Sequence, residues 1–525
     1  MSVAPVIPFG RVLEPFAARG REQLERDAGD AAALLSPAAR ATSEAALLQL
    51  LSWLALPVLD QELALREGLE GRFPWQAASR SSLAYEQYAD ELANGGMAGV
   101  LREYPVLEEV LTSWTRGWAR SHALLARRLA DDWPLLRERF ALHGARCNVE
   151  AITAYRSDPH HGGATVTFVQ LQNGPLLVYK PRALAMEEGF GELLQWANAR
   201  RFPWPFRSVA VLDRNHYGWM EHVPAAPCAS SAEVEAFYAR VGGLLCLLTL
   251  LQATDIHHEN LIASGDQPVI VDLETLFHPR LHPELQDALG PGARRRTRGD
   301  DFATSLAETG FLPSDGALDF SALGATAAIE TPFAVTDYSN VAASVRKRFR
   351  VPLRQNVPAL HGRPMPAADH QESIVAGFRA MFLLVLRHRA DFVANLQRFA
   401  GRAGRFVARS SNVYGLLLQQ SLLPPFLRDG ARRAELFACL SRGTDARVAS
   451  IVAEEQSALE RVDVPYLATR CGQPSQCWPS PLAQVLARIE AAAAADLPAH
   501  LDVLRCELAK LESESRPQPL EAAAG

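Results

Sequence analysis

In ATDIHHENLIASGDQPVIVDLETLF, residues 253–277, an aspartate and an asparagine stand five apart, and a second aspartate follows the apolar run Val269-Ile270-Val271. Phosphoryl transfer asks for such a set: hard oxygen donors to hold magnesium, and beside them a group that positions the attacking hydroxyl. In that chemistry Asp255 is the catalytic carboxylate, and Asn260 and Asp272 hold the metal. Upstream, Lys180 ends the strand-like run in LVYKPRAL and supplies a cation for nucleotide phosphates. A glutamate on the next helix would brace it, and Glu187, Glu188 and Glu192 are the candidates. The turn SDPHHGG, Ser157 to Gly163, lies between two strand patterns, where a phosphate-covering loop belongs, although it is not a Walker loop. Each feature alone has an ordinary explanation: capping residues, a solvated strand-end lysine, a simple turn. It is their order along the chain that argues for a kinase.

Those residues need elements to hold them. Residues 20 to 145 show apolar positions three and four apart, as in SEAALLQLLSWLALPVL and WARSHALLARRLADDWPLLRERF, and predict roughly six helices. The pattern changes at Cys147. CNVEAITAYR and ATVTFVQLQNGPLLVYKP alternate apolar and polar residues, with Asn173-Gly174 as a hairpin turn. The helix ALAMEEGFGELLQWANA and a strand pair around SVAVLDRNHYGWMEHV follow. From Ala232 the chain turns helical again, and VGGLLCLLTLLQA reads as a buried helix leading into the opening stretch. Residues 285 to 345 have weak periodicity and read as a long loop. The expected class is α+β, with a helical region at 1–145, a small sheet lobe at 146–230, a helical lobe at 231–512 and a disordered tail at 513–525.

Composition narrows the setting. The 525 residues carry a net charge of -6, which gives no footprint for nucleic acid. The seven cysteines, at 147, 228, 246, 439, 471, 477 and 506, lack the paired short spacings of a zinc site, so no zinc is expected. Their scatter points to a reducing compartment. The N-terminus has no secretory pattern, and the run Val241 to Ala253 is too short to span a bilayer. A cytoplasmic protein with no membrane span is the expectation.

The segments AYRSDPHHGG, LVYKPRAL, YGWMEHV, ATDIHHENLIASGDQPVIVDLETLFHP and FVARSSNVYGLLL occur in this order. Together they resemble the dehydratase domain of the class II lanthipeptide synthetases, the LanM family, from residue 85 to residue 510. The loop DIHHEN is itself similar to the Asp-x-His-x-x-Asn loop of phosphoinositide lipid kinases, in which the His257 position orients or deprotonates the hydroxyl. The resemblance implies a bilobal, lipid-kinase-like core with added helices. It also implies ATP and magnesium, and a ribosomal precursor peptide with its leader as substrate. Ser and Thr would be phosphorylated and the phosphate then eliminated, leaving dehydroalanine or dehydrobutyrine. Carried onto this sequence, Lys180 binds phosphates with Glu188 and Glu221 nearby, Asp255 and His257 act at the hydroxyl, and Asn260 and Asp272 hold magnesium with Glu274 close by. Asp158 and His160 match the family's polar turn. Arg405 and Ser411 fall where the family has the Arg and Thr used in elimination, and Arg409 would join Arg405 at the departing phosphate.

Two departures stand out. Ser411 replaces the family's Thr, and the chain lacks the Cys-His-Gly ligand triplet of the zinc-dependent cyclase that follows in full-length synthetases. Ring closure would then fall to a separate cyclase protein or not occur. Two alternatives stay open: a kinase that stops at the phosphorylated product, and a catalytically silent peptide-binding partner of a larger synthetase.

Overall fold

The computed structural model describes residues 7–69, 82–154, 157–285, 287–289, 302–313, 320–324, 335–337, 345–347 and 355–514. Before residue 145 it has five α-helices among the described residues, Gly10–Ala28, Pro37–Leu69, Ser82–Glu91, Met97–Glu103 and Pro105–Arg139, where the periodicity predicted about six. The long helices bury one face each. Leu47, Leu51, Leu54 and Leu59 of the second pack with Leu107, Leu111 and Trp118 of the last. A polar contact fixes this pairing, because the Ser43 hydroxyl meets His122 Nε2 at 2.6 Å and accepts from Trp118 Nε1 at 3.1 Å.

A five-stranded antiparallel sheet follows, β1 (Val149–Thr153), β2 (Thr167–Leu171), β3 (Leu176–Lys180), β4 (Val211–Asp213) and β5 (Gly218–Glu221), in the order β1-β2-β3-β5-β4. The expected hairpin joins β2 to β3, with Asn173 at φ 53° in the turn, and helix Ala185–Ala199 connects β3 to β4. Strand alternation sends Leu177 and Tyr179 into the core shared with the N-terminal helices, and Val178 into a small cluster with Leu184, Val211 and Met220 on the other face. Lys180 shares that second face, and one strand thus anchors the sheet and supplies the cation. Trp219 on β5 ties the sheet to helix Pro105–Arg139 by donating to the buried Asp132 at 2.9 Å.

Helix Ser231–Leu250 is buried at every residue from Phe237 to Leu250, as its unbroken apolar run predicts. It centres a second core with helices Gln371–Arg387, Pro481–Ala491 and Leu497–Glu514. Residues 406 to 464 pack instead with the N-terminal helices and the sheet, so the 231–512 segment contributes to both cores. The long loop expected at 285–345 lies mostly outside the described residues. Helix Phe302–Glu308, residues 309–312 and residues 320–324 touch the second core or the Asp255 loop. The tail from 515 also lies outside them. By length and composition one helix among the described residues, Pro37–Arg66, is apolar enough to cross a membrane, with half of its apolar window buried. Its apolar run is interrupted by Ser43, Gln49, Ser52 and Asp60.

The pairing of Ser231–Leu250 with Gln371–Arg387 depends on two glycines. A Cβ on Gly242 would come within 1.9 Å of the Ile374 carbonyl oxygen, and one on Gly377 within 1.7 Å of that of Ala239. No rotamer change relieves a clash with backbone, so an alanine would force the helices apart. Gly377→Ala is expected to cost roughly 3 kcal/mol, the upper end of overpacking effects. Gly99, exposed in a helix with nothing near its Cβ position, should gain roughly 0.5–1 kcal/mol as alanine. Urea denaturation of the two variants checks both signs.

Candidate active site

Three cations and three carboxylates meet where β3, helix Ala185–Ala199, the segment after Val271 and the strand Ala403–Phe406 converge. Lys180 donates to the Val271 carbonyl at 2.6 Å and lies 3.4 Å from Asp272 and 3.8 Å from Glu187. Arg182 reaches Glu187 at 2.6 Å, Asp272 at 2.7 Å and Glu274 at 2.7 Å. Arg405 pairs with the other oxygen of Glu274 at 2.9 Å, and its own amide donates to the Glu274 carbonyl at 2.8 Å. Burial opposes the charge on Asp272, but Arg182 and Lys180 outweigh it and hold the carboxyl well below the usual range. For Arg405, burial is likewise outweighed, by Glu274, and its pKa lies above the ordinary value.

The Asp255 loop lies beside this network. Helix Ser231–Leu250 ends, and the chain reverses through Gln252 and Asp255, both in the left-handed region at φ 52° and 62°, a conformation that aspartate tolerates. Asn260 Nδ2 donates to the Asp255 carbonyl at 3.0 Å, which leaves its amide oxygen as the acceptor. The Asn260 carbonyl in turn accepts from the Val271 amide at 2.9 Å, binding the loop to the strand that precedes Asp272. His257, half-buried, accepts from the Glu259 amide at 3.3 Å and bridges to Ser321.

Asp158 and His160 approach from the turn between β1 and β2. Burial raises the pKa of Asp158, with the charges of Arg405, Glu259, His257 and Asp255 acting on it in turn. Burial and then Arg405 lower that of His160 to about 4. Its Nδ1 lies 2.7 Å from the Val464 carbonyl and therefore carries the proton, and the lone pair is on Nε2.

The donor set suits magnesium. Asp255, Asn260 and Asp272 offer hard oxygens, and among the described residues no three His, Cys, Asp or Glu side chains form a ready-made cage. Magnesium is ordinarily held by one or two carboxylates together with substrate phosphates, which fits so sparse a set. Glu274 fits less well as a ligand, because a guanidinium faces each of its oxygens, and Asp272, whose oxygens face Arg182 and Lys180, would have to release one of them to take the metal.

Several expectations are corrected. The brace on Lys180 is Glu187, not Glu188, because Glu187 is the residue of that helical turn directed at β3, whereas Glu188 lies among Arg402, Asp213 and Glu192. Glu192 pairs with Arg398 and Arg402. Glu221 pairs with Arg207 and stands opposite Leu177, three residues and about 10 Å along the strand from Lys180. Ser411 is exposed in the first turn of helix Ser411–Ser421, with no hydrogen bond or ion pair to the network among the described residues. Arg409 is not a phosphate ligand, since it is fully buried and pairs with Glu455 at 2.8 and 3.2 Å. Glu455 also accepts from Tyr414 at 2.5 Å. Sequence reasoning passed over Arg182, although its place two residues after Lys180 was a usable signal. Tyr466, stacked under Arg405 at 5.2 Å, offered none.

Two outcomes follow from this geometry. Glu455→Gln should cost about 3–5 kcal/mol by leaving Arg409 buried and uncompensated, while Arg409→Met with Glu455→Leu should return most of that in chemical denaturation. His160 should stay neutral well below the ordinary 6.5 and titrate near 4 in ring NMR. Between those values the unfolded chain takes up a proton there and the folded chain does not, so this group lowers stability as pH falls through that window. A charged ring at pH 5.5 would contradict the burial argument.

Comparison with known proteins agrees with the motif order. A family described as a domain of unknown function, DUF4135, matches residues 104–470. The lacticin 481/lactococcin biosynthesis protein LcnDR2 of Lactococcus lactis subsp. lactis is 22% identical over 404 residues, which cover 73% of this chain and 42% of that relative. The chain thus spans less than half the length of the relative it matches. The family match takes in the whole of the Lys180, Asp255, Asp272 and Arg405 network, and the chain belongs to the DUF4135 family, the domain found in LanM-type lanthipeptide synthetases.

Proposed function

We propose that this chain transfers phosphate from ATP to Ser and Thr hydroxyls of a ribosomal precursor peptide, and then eliminates the phosphate to leave dehydroalanine or dehydrobutyrine. The observation that carries the reading is the continuous ion network from Lys180 and Asp272 through Arg182 and Glu274 to Arg405. It sets the residues suited to phosphoryl transfer beside the guanidinium suited to a departing phosphate. The name of the related lacticin protein supports a lanthipeptide precursor as the substrate class. In this reading residues 146–230 and the helices from 231 are the two lobes of a lipid-kinase-like core, with the helices before 145 added to it.

Asp255 and His257 orient the hydroxyl and take its proton as its oxygen bonds to the γ-phosphorus and the bond to the ADP oxygen breaks. Lys180 and Arg182 exchange carboxylate partners for phosphate oxygens. Asn260 and Asp272 would hold magnesium, which would supply positive charge to offset that of the phosphate oxygens. In the second step the α-proton is removed, its electron pair forms the Cα–Cβ double bond, and the Cβ–O bond breaks with its electrons leaving on phosphate. His160, whose lone pair is on Nε2, takes the α-proton in this reading. Arg405 offers a fork to the phosphate oxygens.

The test uses the full chain with a candidate lanthipeptide precursor peptide, ATP and magnesium, read by mass spectrometry. The parent should yield peptide that has lost water. Arg405→Ala should yield peptide that keeps phosphate, with elimination slowed ~10²–10³-fold, and Asp272→Asn should yield neither. Phosphopeptide from the parent would favour a plain kinase. An unmodified peptide with no ATP consumed would favour a non-catalytic peptide-binding partner.

A further inference from the structure

The turn that brings Asp158 and His160 to the site is held by a carboxylate 300 residues away in sequence. His161, Gly162 and Gly163 have φ of 50°, 86° and 86°. Successive amides in such turns form a concavity suited to an anion. Here the anion is Asp463, fully buried, whose Oδ2 accepts from the Gly162 amide at 2.6 Å and Oδ1 from that of Gly163 at 2.9 Å. Two more bonds close the contact: the Val464 amide donates to the Pro159 carbonyl at 2.8 Å, and His160 Nδ1 donates to the Val464 carbonyl at 2.7 Å.

The approach to Asp463 is strained. Helix Ala449–Glu460 ends just before it, and Val462 stands at φ 62°, where a helix ordinarily ends in glycine. A β-branched residue in that region is an outlier, and such strain persists where surrounding structure over-determines it. Beyond Asp463, the Pro465 carbonyl accepts from Arg405 at 3.2 Å, and the Tyr466 ring lies under the same guanidinium and against His160. The run 463–466 therefore reaches the turn through Asp463, Val464 and Tyr466, and Arg405 through Pro465 and Tyr466.

We propose that Asp463 is a positioning residue of the site. Its carboxylate fills the amide concavity of the 157–163 turn and fixes Asp158 and His160 against Arg405 and the Asp255 loop. A phosphate-covering loop must keep its amides open for the nucleotide, whereas these are occupied by a tethered anion, so the phosphates fall to Lys180 and its neighbours. The consequence for turnover rests on the function proposed above, and the hold on the turn does not.

Asp463→Ala and Asp463→Asn test it in the full chain. Asn keeps the volume but offers one oxygen and turns an NH₂ toward an amide N–H. In both variants hydrogen exchange at Gly162 and Gly163 should rise roughly 10- to 100-fold, as for the loss of a hydrogen bond to a charged acceptor, with helix Ser231–Leu250 still protected. Affinity for magnesium-ATP and KM for ATP should stay unchanged, while kcat with precursor peptide falls ~10²-fold through misplacement. A turn that remains protected, ATP affinity that weakens as the turn opens, or an unchanged kcat with an open turn would each overturn the proposal. Loss of protection throughout the chain would also overturn it, making Asp463 a residue of the fold. A parent that leaves the peptide unmodified refutes the proposed function, and the exchange and ATP-affinity measurements still decide what holds the turn.

Discussion

Glu274 faces a guanidinium on each side, Arg182 at one oxygen and Arg405 at the other, and the rest of the site is arranged around that double ion pairing. Removing an ion from water costs several kcal/mol even after relaxation, and only close opposite charge offsets it. Lys180, Arg182 and Arg405 answer Glu187, Asp272 and Glu274, so the buried charge sums to zero. Four separate elements contribute to this balance. None can withdraw without leaving an unpaired ion, which ties β3, helix Ala185–Ala199, the segment after Val271 and the strand Ala403–Phe406 into one unit.

Such a network also prepares the site electrostatically. In the reaction proposed above, cations already paired and largely shielded would need little reorganisation for phosphate oxygens to replace carboxylate oxygens. The Asp272 side chain, 27% exposed beside a Lys180 at 4%, is the point at which the network opens to solvent. Arg409 and Glu455 use the same chemistry with no exposure at all, and the result is framework.

The helical core aims the loop. Gly242 and Gly377 let two helices meet backbone to backbone, and the end of the first leads directly into Asp255. Asn260 then links that loop to Val271, and Val271 accepts from Lys180, so a rigid path runs from the helix crossing to the Lys180 ammonium. Position is transmitted along it by backbone hydrogen bonds, which tolerate little slack.

Much of this was legible in the chain itself. The alternation in LLVYK placed Lys180 on one face of a strand, the apolar run from 241 declared a buried helix, and Asn173-Gly174 marked its hairpin. These are local properties, fixed by periods of 2 and 3.6 residues and by turn sterics. Side-chain partners are not local. That Glu187 rather than Glu188 faces Lys180 depends on how its helix is rotated, about 100° per residue, against the sheet. That Arg405 reaches a carboxylate while Arg409 is buried against Glu455 depends on what packs over each. That Asp463 seats in a turn 300 residues before it depends on chain paths no short-range pattern encodes. The sequence by itself determined which elements form and which chemistry-bearing residues they carry, because those follow from neighbours along the chain. Only the tertiary structure decided which charges pair, because a buried ion is stabilised by whatever lies within a few ångströms, however far away in sequence.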